Sequence, residues 1–85
     1  MNDDNPGVRL HALQGLKQFA SEADVRSAFM SSLENDLDAG IRFEAIDALT
    51  RSGGDASLAK DLQRFTKDDN SYVKMKALQF VGTHR

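Results

Sequence analysis

Apolar side chains in this sequence recur three and four positions apart, not every second position. They fall at Val8, Leu10, Ala12, Leu13 and Leu16, then at Val25, Ala28, Phe29 and Leu33, and later at Leu58, Leu62 and Phe65. That spacing gathers them on one side of an α-helix. The alternation expected of a half-buried strand is absent. The pattern predicts five helices over 6–19, 22–34, 39–51, 55–66 and 71–81. Polar caps support these starts. Asn5, Asp38 and Asn70 are short side chains able to accept from the orphan N–H groups of a first turn. Pro6 comes directly after Asn5, where a missing N–H costs nothing. Ser21 with Asp24 reads as a capping box. Asp55 caps the helix after the Gly53-Gly54 break, and Gly82 is expected to close the last helix.

The pattern also repeats. The segments from Asp4 to Leu16, Leu37 to Leu49 and Asp69 to Val81 align in register. Each carries a turn residue, then Val or Ile, a basic residue, and an Ala with aliphatic neighbours. Val8, Ile41 and Val73 are equivalent, at spacings of 33 and 32 residues. Two helices per period of this length indicate an α-solenoid, with an inner and an outer helix in each unit. Residues 6–19 form an inner helix alone, and 22–51 and 55–81 form full units. The wide apolar arc of the first helix cannot all be covered by the four later helices. The expectation is therefore a single repeat domain over 1–85 that is a piece of a longer protein. Its uncapped N-terminal end is then a place for self-association into a homo-oligomer.

The residues at the start of each inner helix resemble those of HEAT repeats, in their short bacterial form. An acidic residue stands six positions before each basic one: Asp3 and Arg9, Asp36 and Arg42, Asp68 and Lys74. In that family the turn acid and the inner-helix Arg form a ladder, each Arg bridging turn carbonyls or acids of adjacent units. The resemblance implies a structural role for these six residues. The third unit departs, because Lys74 is a point charge and not a planar fork. The fold implied is all-α, a right-handed α-α superhelix of five helices and about two and a half repeats. A narrower resemblance joins NPGVRLHALQGLKQFA, GIRFEAIDALTR and KDDNSYVKMKALQ to the C-terminal repeats of bacterial zinc-finger anti-sigma factors. The zinc ligands of that family have no counterpart here. Sigma binding would lie outside these residues. The compartment would be cytoplasmic, or periplasmic if a membrane span precedes the repeats.

Composition narrows the chemistry. With no cysteine, a disulfide framework, a Cys-based zinc site and a thiol nucleophile are all excluded. His11 and His84 have no second ligand at metal spacing, so no metal or other cofactor is expected. The carboxylates sit at caps and turns, and no nucleophile has a placed base, so the chain reads as non-catalytic. Gly53-Gly54 is a turn and not a phosphate loop. No basic stripe faces an apolar one, so no membrane contact by this segment is expected.

Superposing the inner helices gives rungs His11–Glu44–Lys76 and Gln14–Asp47–Gln79 on the concave face. Glu44 and Asp47 at its centre would repel phosphate, which argues against a nucleic-acid partner. These six residues are the candidate surface for a protein partner. The function expected is a protein-interaction scaffold, the repeat region of an anti-sigma-like regulator. The alternative is a structural or self-associating stretch of a longer solenoid. On this reading Asp47→Lys should weaken a partner without changing helicity.

Overall fold

The computed structural model describes residues 5–51 and 56–84. The expectations for Asp3, for Gly53-Gly54 and for Asp55 fall outside them. Among the described residues there are five α-helices and no strand. They are α1 (Pro6–Leu16), α2 (Ala23–Asn35), α3 (Ala39–Arg51), α4 (Ala56–Leu62) and α5 (Ser71–Thr83). Tight 3₁₀ turns continue α1 through Lys17–Phe19 and α4 through Gln63–Lys67. The inner helices α1, α3 and α5 stack side by side, with α2 packed on α3 and α4 on α5 as the outer row. The result is an all-α, solenoid-like plate, 36 × 28 × 14 Å.

The caps explain where helices begin. Gly7 N–H donates to Asn5 Oδ1 at 2.8 Å, and Ile41 N–H to Asp38 Oδ1 at 3.1 Å. Asn70 Oδ1 accepts from both Tyr72 and Val73 N–H. Each interaction satisfies a first-turn donor that the helix itself leaves without a partner. Two expected caps differ. Glu22, not Ser21, is the N-cap of α2 and makes no side-chain bond there. Asp24 lies inside the first turn, where its carboxylate accepts from Val25 N–H at 3.0 Å. Gly82 does not end α5, which runs through Thr83. The Thr83 hydroxyl donates back to the carbonyls of Gln79 and Phe80, and the His84 ring stacks on Phe80 at 4.0 Å. Those contacts hold the last turn closed past the glycine.

The core lies between the rows. Phe29 and Leu33 of α2, Ile41, Ala45, Ile46 and Leu49 of α3, and Leu58 and Leu62 of α4 are essentially removed from solvent. The three inner helices have equivalent positions but unequal burial. Ile41 and Val73 are 0% exposed, whereas their equivalent Val8 is 51% exposed. Leu13 and Ile46 are 0% exposed, whereas their equivalent Leu78 is 50% exposed. The middle helix is covered on both sides and each end helix on one. Burial tracks position in the stack, and residue type alone does not determine it.

Equivalent positions should therefore differ in their contribution to stability. Ile41→Ala should cost about 2–5 kcal/mol, through lost transfer energy and the cavity left behind. Val8→Ala should cost less than about 0.5 kcal/mol, as at other exposed sites. Urea unfolding monitored by circular dichroism measures both, and equal costs would contradict the stacked arrangement.

Candidate functional site on the inner-helix face

The turns before α3 and α5 share one design. Asp36 accepts from Asp38 N–H at 2.9 Å, and Asp68 from Asn70 N–H at 2.8 Å. Each acid thereby closes its own turn. Its remaining acceptor capacity reaches back to the previous inner helix. Arg9 donates to Asp36 through Nε at 2.8 Å and Nη2 at 3.2 Å. Arg42 donates to Asp68 through Nη1 at 3.0 Å and through Nη2. Both pairs use two guanidinium donors against two carboxylate oxygens, the geometry that suits arginine and not lysine. Arg42 Nε also donates to the Leu33 carbonyl at 2.8 Å, at the end of α2.

The contacts run between units. Arg42 grips Asp68 of the next turn and not Asp36, the acid six positions before it. Arg9 meets the acid of the next turn, 27 residues on, and Arg42 the one 26 residues on. The reason is the stacking: the start of each inner helix lies beside the turn that begins the next. Lys74 is exposed and has no acidic partner among the described residues.

The second cluster sits in the groove. The repeat alignment points Asp47 outward, but it is 4% exposed. Three cations surround its carboxylate. Arg51 Nε donates to Oδ1 at 3.1 Å, one helical turn along α3. Lys76 Nζ of α5 stands 3.8 Å from the same oxygen, and Lys17 Nζ stands 3.8 Å from Oδ2. Lys17 also pairs with half-buried Glu44, whose Oε2 has no other polar partner among the described residues. Asp47 therefore links all three inner helices. Beside it, Phe43 and Tyr72 meet edge to face at 4.2 Å, and Lys76 lies 5.9 Å over the Tyr72 ring.

These contacts correct two expectations. Glu44 and Asp47 are matched by Lys17, Arg51 and Lys76, so acid repulsion does not set the character of the groove. Asp47→Lys would place a fourth cation among three, so it perturbs stability and is no surface probe. Of the six expected surface residues, the fold brings Asp47 and Lys76 together. His11, Gln14 and Gln79 are exposed, and Glu44 is turned toward Lys17. Lys17 escapes the repeat alignment, which places it beside Thr50, off the rungs. The 3₁₀ turn that begins at Lys17 changes the helical register there.

A family model described as HEAT repeats matches residues 1–82. The chain belongs to the HEAT-repeat family. No curated protein and no solved structure matches it. HEAT repeats commonly mediate protein–protein interaction and are typically non-catalytic. Among the described residues, no group of three His, Asp or Glu side chains could hold a metal ion. No helix among them is long and apolar enough to cross a membrane. Two shallow grooves flank Arg51 on the HEAT inner face. Lys17, Gln18, Ala20, Asp47 and Ala48 line one, of 330 Å³. Thr50, Lys76, Gln79, Phe80 and Thr83 line the other, of 470 Å³.

The turn acids carry a pH signature. Both Asp36 and Asp68 are held below the ordinary value of 3.8. For Asp36, burial opposes ionisation, but the Arg9 hydrogen bonds, the Asp38 N–H and the Arg9 charge together outweigh it. For Asp68, the Arg42 hydrogen bonds dominate over burial, with the Asn70 N–H and the Arg42 charge adding to them. A carboxylate lowered in the folded state stabilises it above the unfolded value and loses that contribution as pH falls through the folded value. The contribution of the two acids should be intact above about pH 5 and decline progressively below about pH 4, as pH falls through the lowered folded values. Urea midpoints measured from pH 7 to pH 2.5 should fall less steeply on the acid side for Asp36→Asn/Asp68→Asn than for the parent chain.

Proposed function

We propose that the chain is a non-catalytic protein-interaction module whose inner-helix face receives a polypeptide partner. The supporting observation is the division of labour among polar groups on that face. Glu44 and Asp47 are engaged with Lys17, Arg51 and Lys76 inside the chain. Gln14, Gln18 and Gln79 are exposed amides on the same face, and Arg51 presents a side chain that is 78% exposed. An amide both donates and accepts, which suits the backbone of an extended peptide. A guanidinium edge suits a carboxylate on that peptide. The internal ion pairs keep the helices that carry these groups at fixed spacing, so little ordering is needed on binding.

On this reading the turn acids Asp3, Asp36 and Asp68 and the inner-helix bases Arg9, Arg42 and Lys74 serve the scaffold and not the partner. The narrower identity, the repeat region of an anti-sigma-like regulator, rests on sequence resemblance alone. A Cys/His zinc motif encoded upstream in the same gene would support it. Further repeats upstream would favour a general scaffold.

Photo-crosslinking groups placed at Gln18 and Thr83 should capture a partner, which is then titrated against the purified chain. Gln14→Glu/Gln79→Glu should weaken that binding at least about tenfold, because acids would replace amides opposite an acidic peptide. Helical circular dichroism should not change. Lys67→Glu, beyond α4 in the outer row, should leave binding intact. Loss with Lys67→Glu and retention with the double variant would assign the partner to the outer row instead.

A further inference from the structure

The two grooves on the inner-helix face are copies of one groove, a repeat apart. The first has Lys17 and Gln18 on one wall and Asp47, Ala48 and Arg51 on the other. Shifted by one repeat, these positions become Thr50 and Arg51, then Gln79, Phe80 and Thr83. All five line the second groove, joined there by Lys76, the equivalent of Glu44. Arg51 belongs to both sets, as the far wall of one groove and the near wall of the other. One groove lies between the α1 end and α3, the other between α3 and α5, so each has both walls within the described residues.

Charge on this face is layered. Glu44 and Asp47 lie beneath, their side chains 17% and 6% exposed. The cations that engage them lie above: the side chain of Lys76 is 25% exposed, that of Lys17 36% and that of Arg51 78%. Three cations against two acids leave one positive charge in excess, and the burial of the acids turns it toward solvent. The chain as a whole carries −2, so this excess is a local feature of the groove walls. Arg51 uses Nε on Asp47, and a guanidinium has four further N–H donors for a second carboxylate. Between the walls the grooves are apolar, with buried Ala20 and Ala48 in the first and buried Phe80 in the second.

We propose that the partner of this face is an extended acidic segment, with apolar side chains three residues apart in the two grooves and a carboxylate between them on Arg51. The proposal rests on the inner-face reading above and adds the chemistry of the occupant. Charge complementarity selects an acid, since the cations are the exposed members of their ion pairs. The repeat selects the spacing. Packed helices lie about 8–10 Å apart, and three residues of polyproline-like chain span about 9 Å. A segment crossing the inner helices therefore sets residues i and i+3 over successive grooves and the two between them over Arg51. A nucleic acid fits less well, because its binding grows with the number of phosphates neutralised and one excess charge neutralises few. The exposed amides of Gln18 and Gln79 suit a peptide backbone instead.

A display library of short random peptides, selected against the full chain, supplies the probes, and fluorescence polarisation of the selected peptides measures affinity. They should carry Asp or Glu between two apolar residues three positions apart. Arg51→Gln should weaken the best of them about tenfold, yet weaken its acid-to-amide counterpart less than about twofold, because that pair is already broken. Adding or removing one residue between the apolar positions should cost about tenfold as well. Gln18→Glu puts an acid on the wall of the first groove and should also weaken only the acidic peptide, which keeps the test open should Arg51→Gln fail to fold. A basic or uncharged consensus overturns the proposal, as does equal loss of acidic and amide peptides with Arg51→Gln. So does a single-stranded DNA oligonucleotide that binds more tightly than every selected peptide. Selected peptides that lack the acid or the spacing but crosslink at Gln18 and Thr83 sink the acidic partner and leave the inner-face reading standing. No selectable peptide, or peptides that crosslink at neither position and are lost with Lys67→Glu, overturns both.

Discussion

Arg42 is the residue through which one unit fixes the position of the next. Its Nε holds the carbonyl of Leu33, at the end of the outer helix in its own unit. Its two terminal nitrogens hold Asp68, in the turn that opens the next inner helix. Hydrophobic contact between two helices permits sliding and rotation at small cost, since it has no direction. A planar fork with five donors in fixed directions does not. Arg9 makes the same two-donor contact with an acid one unit earlier, gripping Asp36 through Nε and Nη2. In each case the acid also closes its own turn by accepting a backbone N–H. The start of an inner helix, the shape of the turn before it and the spacing to the previous unit are thus set by one carboxylate.

Asp47 works at the other edge of the same helices. A carboxylate that is 4% exposed needs compensating charge, and it obtains this from its own helix and from both neighbours. Its contacts are longer than those of the turn acids, with both lysines at 3.8 Å. It therefore favours proximity of the helices and imposes less direction. The two devices sit at different heights on the inner helices. Together they resist tilting as well as sliding, which gives the inner face a constant spacing for its exposed amides.

Much of the architecture is legible in the sequence, for a physical reason. A repeated unit must meet the same packing constraints three times, so Val8, Ile41 and Val73 stand in register and reveal the period. The asparagine caps are visible because few side chains can satisfy a first turn. What the pattern does not show is which copy of a position is covered, since Val8 and Ile41 differ in neighbours and not in chemistry. That the turn acids meet the arginine of an adjacent unit is implied by the family resemblance and not by the spacing, because residues 26 and 27 apart meet only through the stacking. Lys17 is invisible for a related reason. It leaves the repeat register at a 3₁₀ turn, and its value lies in reaching Glu44 and Asp47 on another helix. Gly82 misleads because the Thr83 hydroxyl and the His84 ring supply the closure that a glycine cap would otherwise provide.

The dependence of the stack on directed pairing between units is tested most directly by a double-mutant cycle on Arg42 and Asp68. Arg42→Leu, Asp68→Asn and the double variant are each unfolded in urea at pH 7, and the coupling energy is taken from the four stabilities. A coupling of about 1.5–3 kcal/mol is expected for bidentate, charge-assisted bonds in a partly buried site. A coupling below about 0.5 kcal/mol, the range of an ordinary exposed ion pair, would mean that apolar packing alone sets the register of the units.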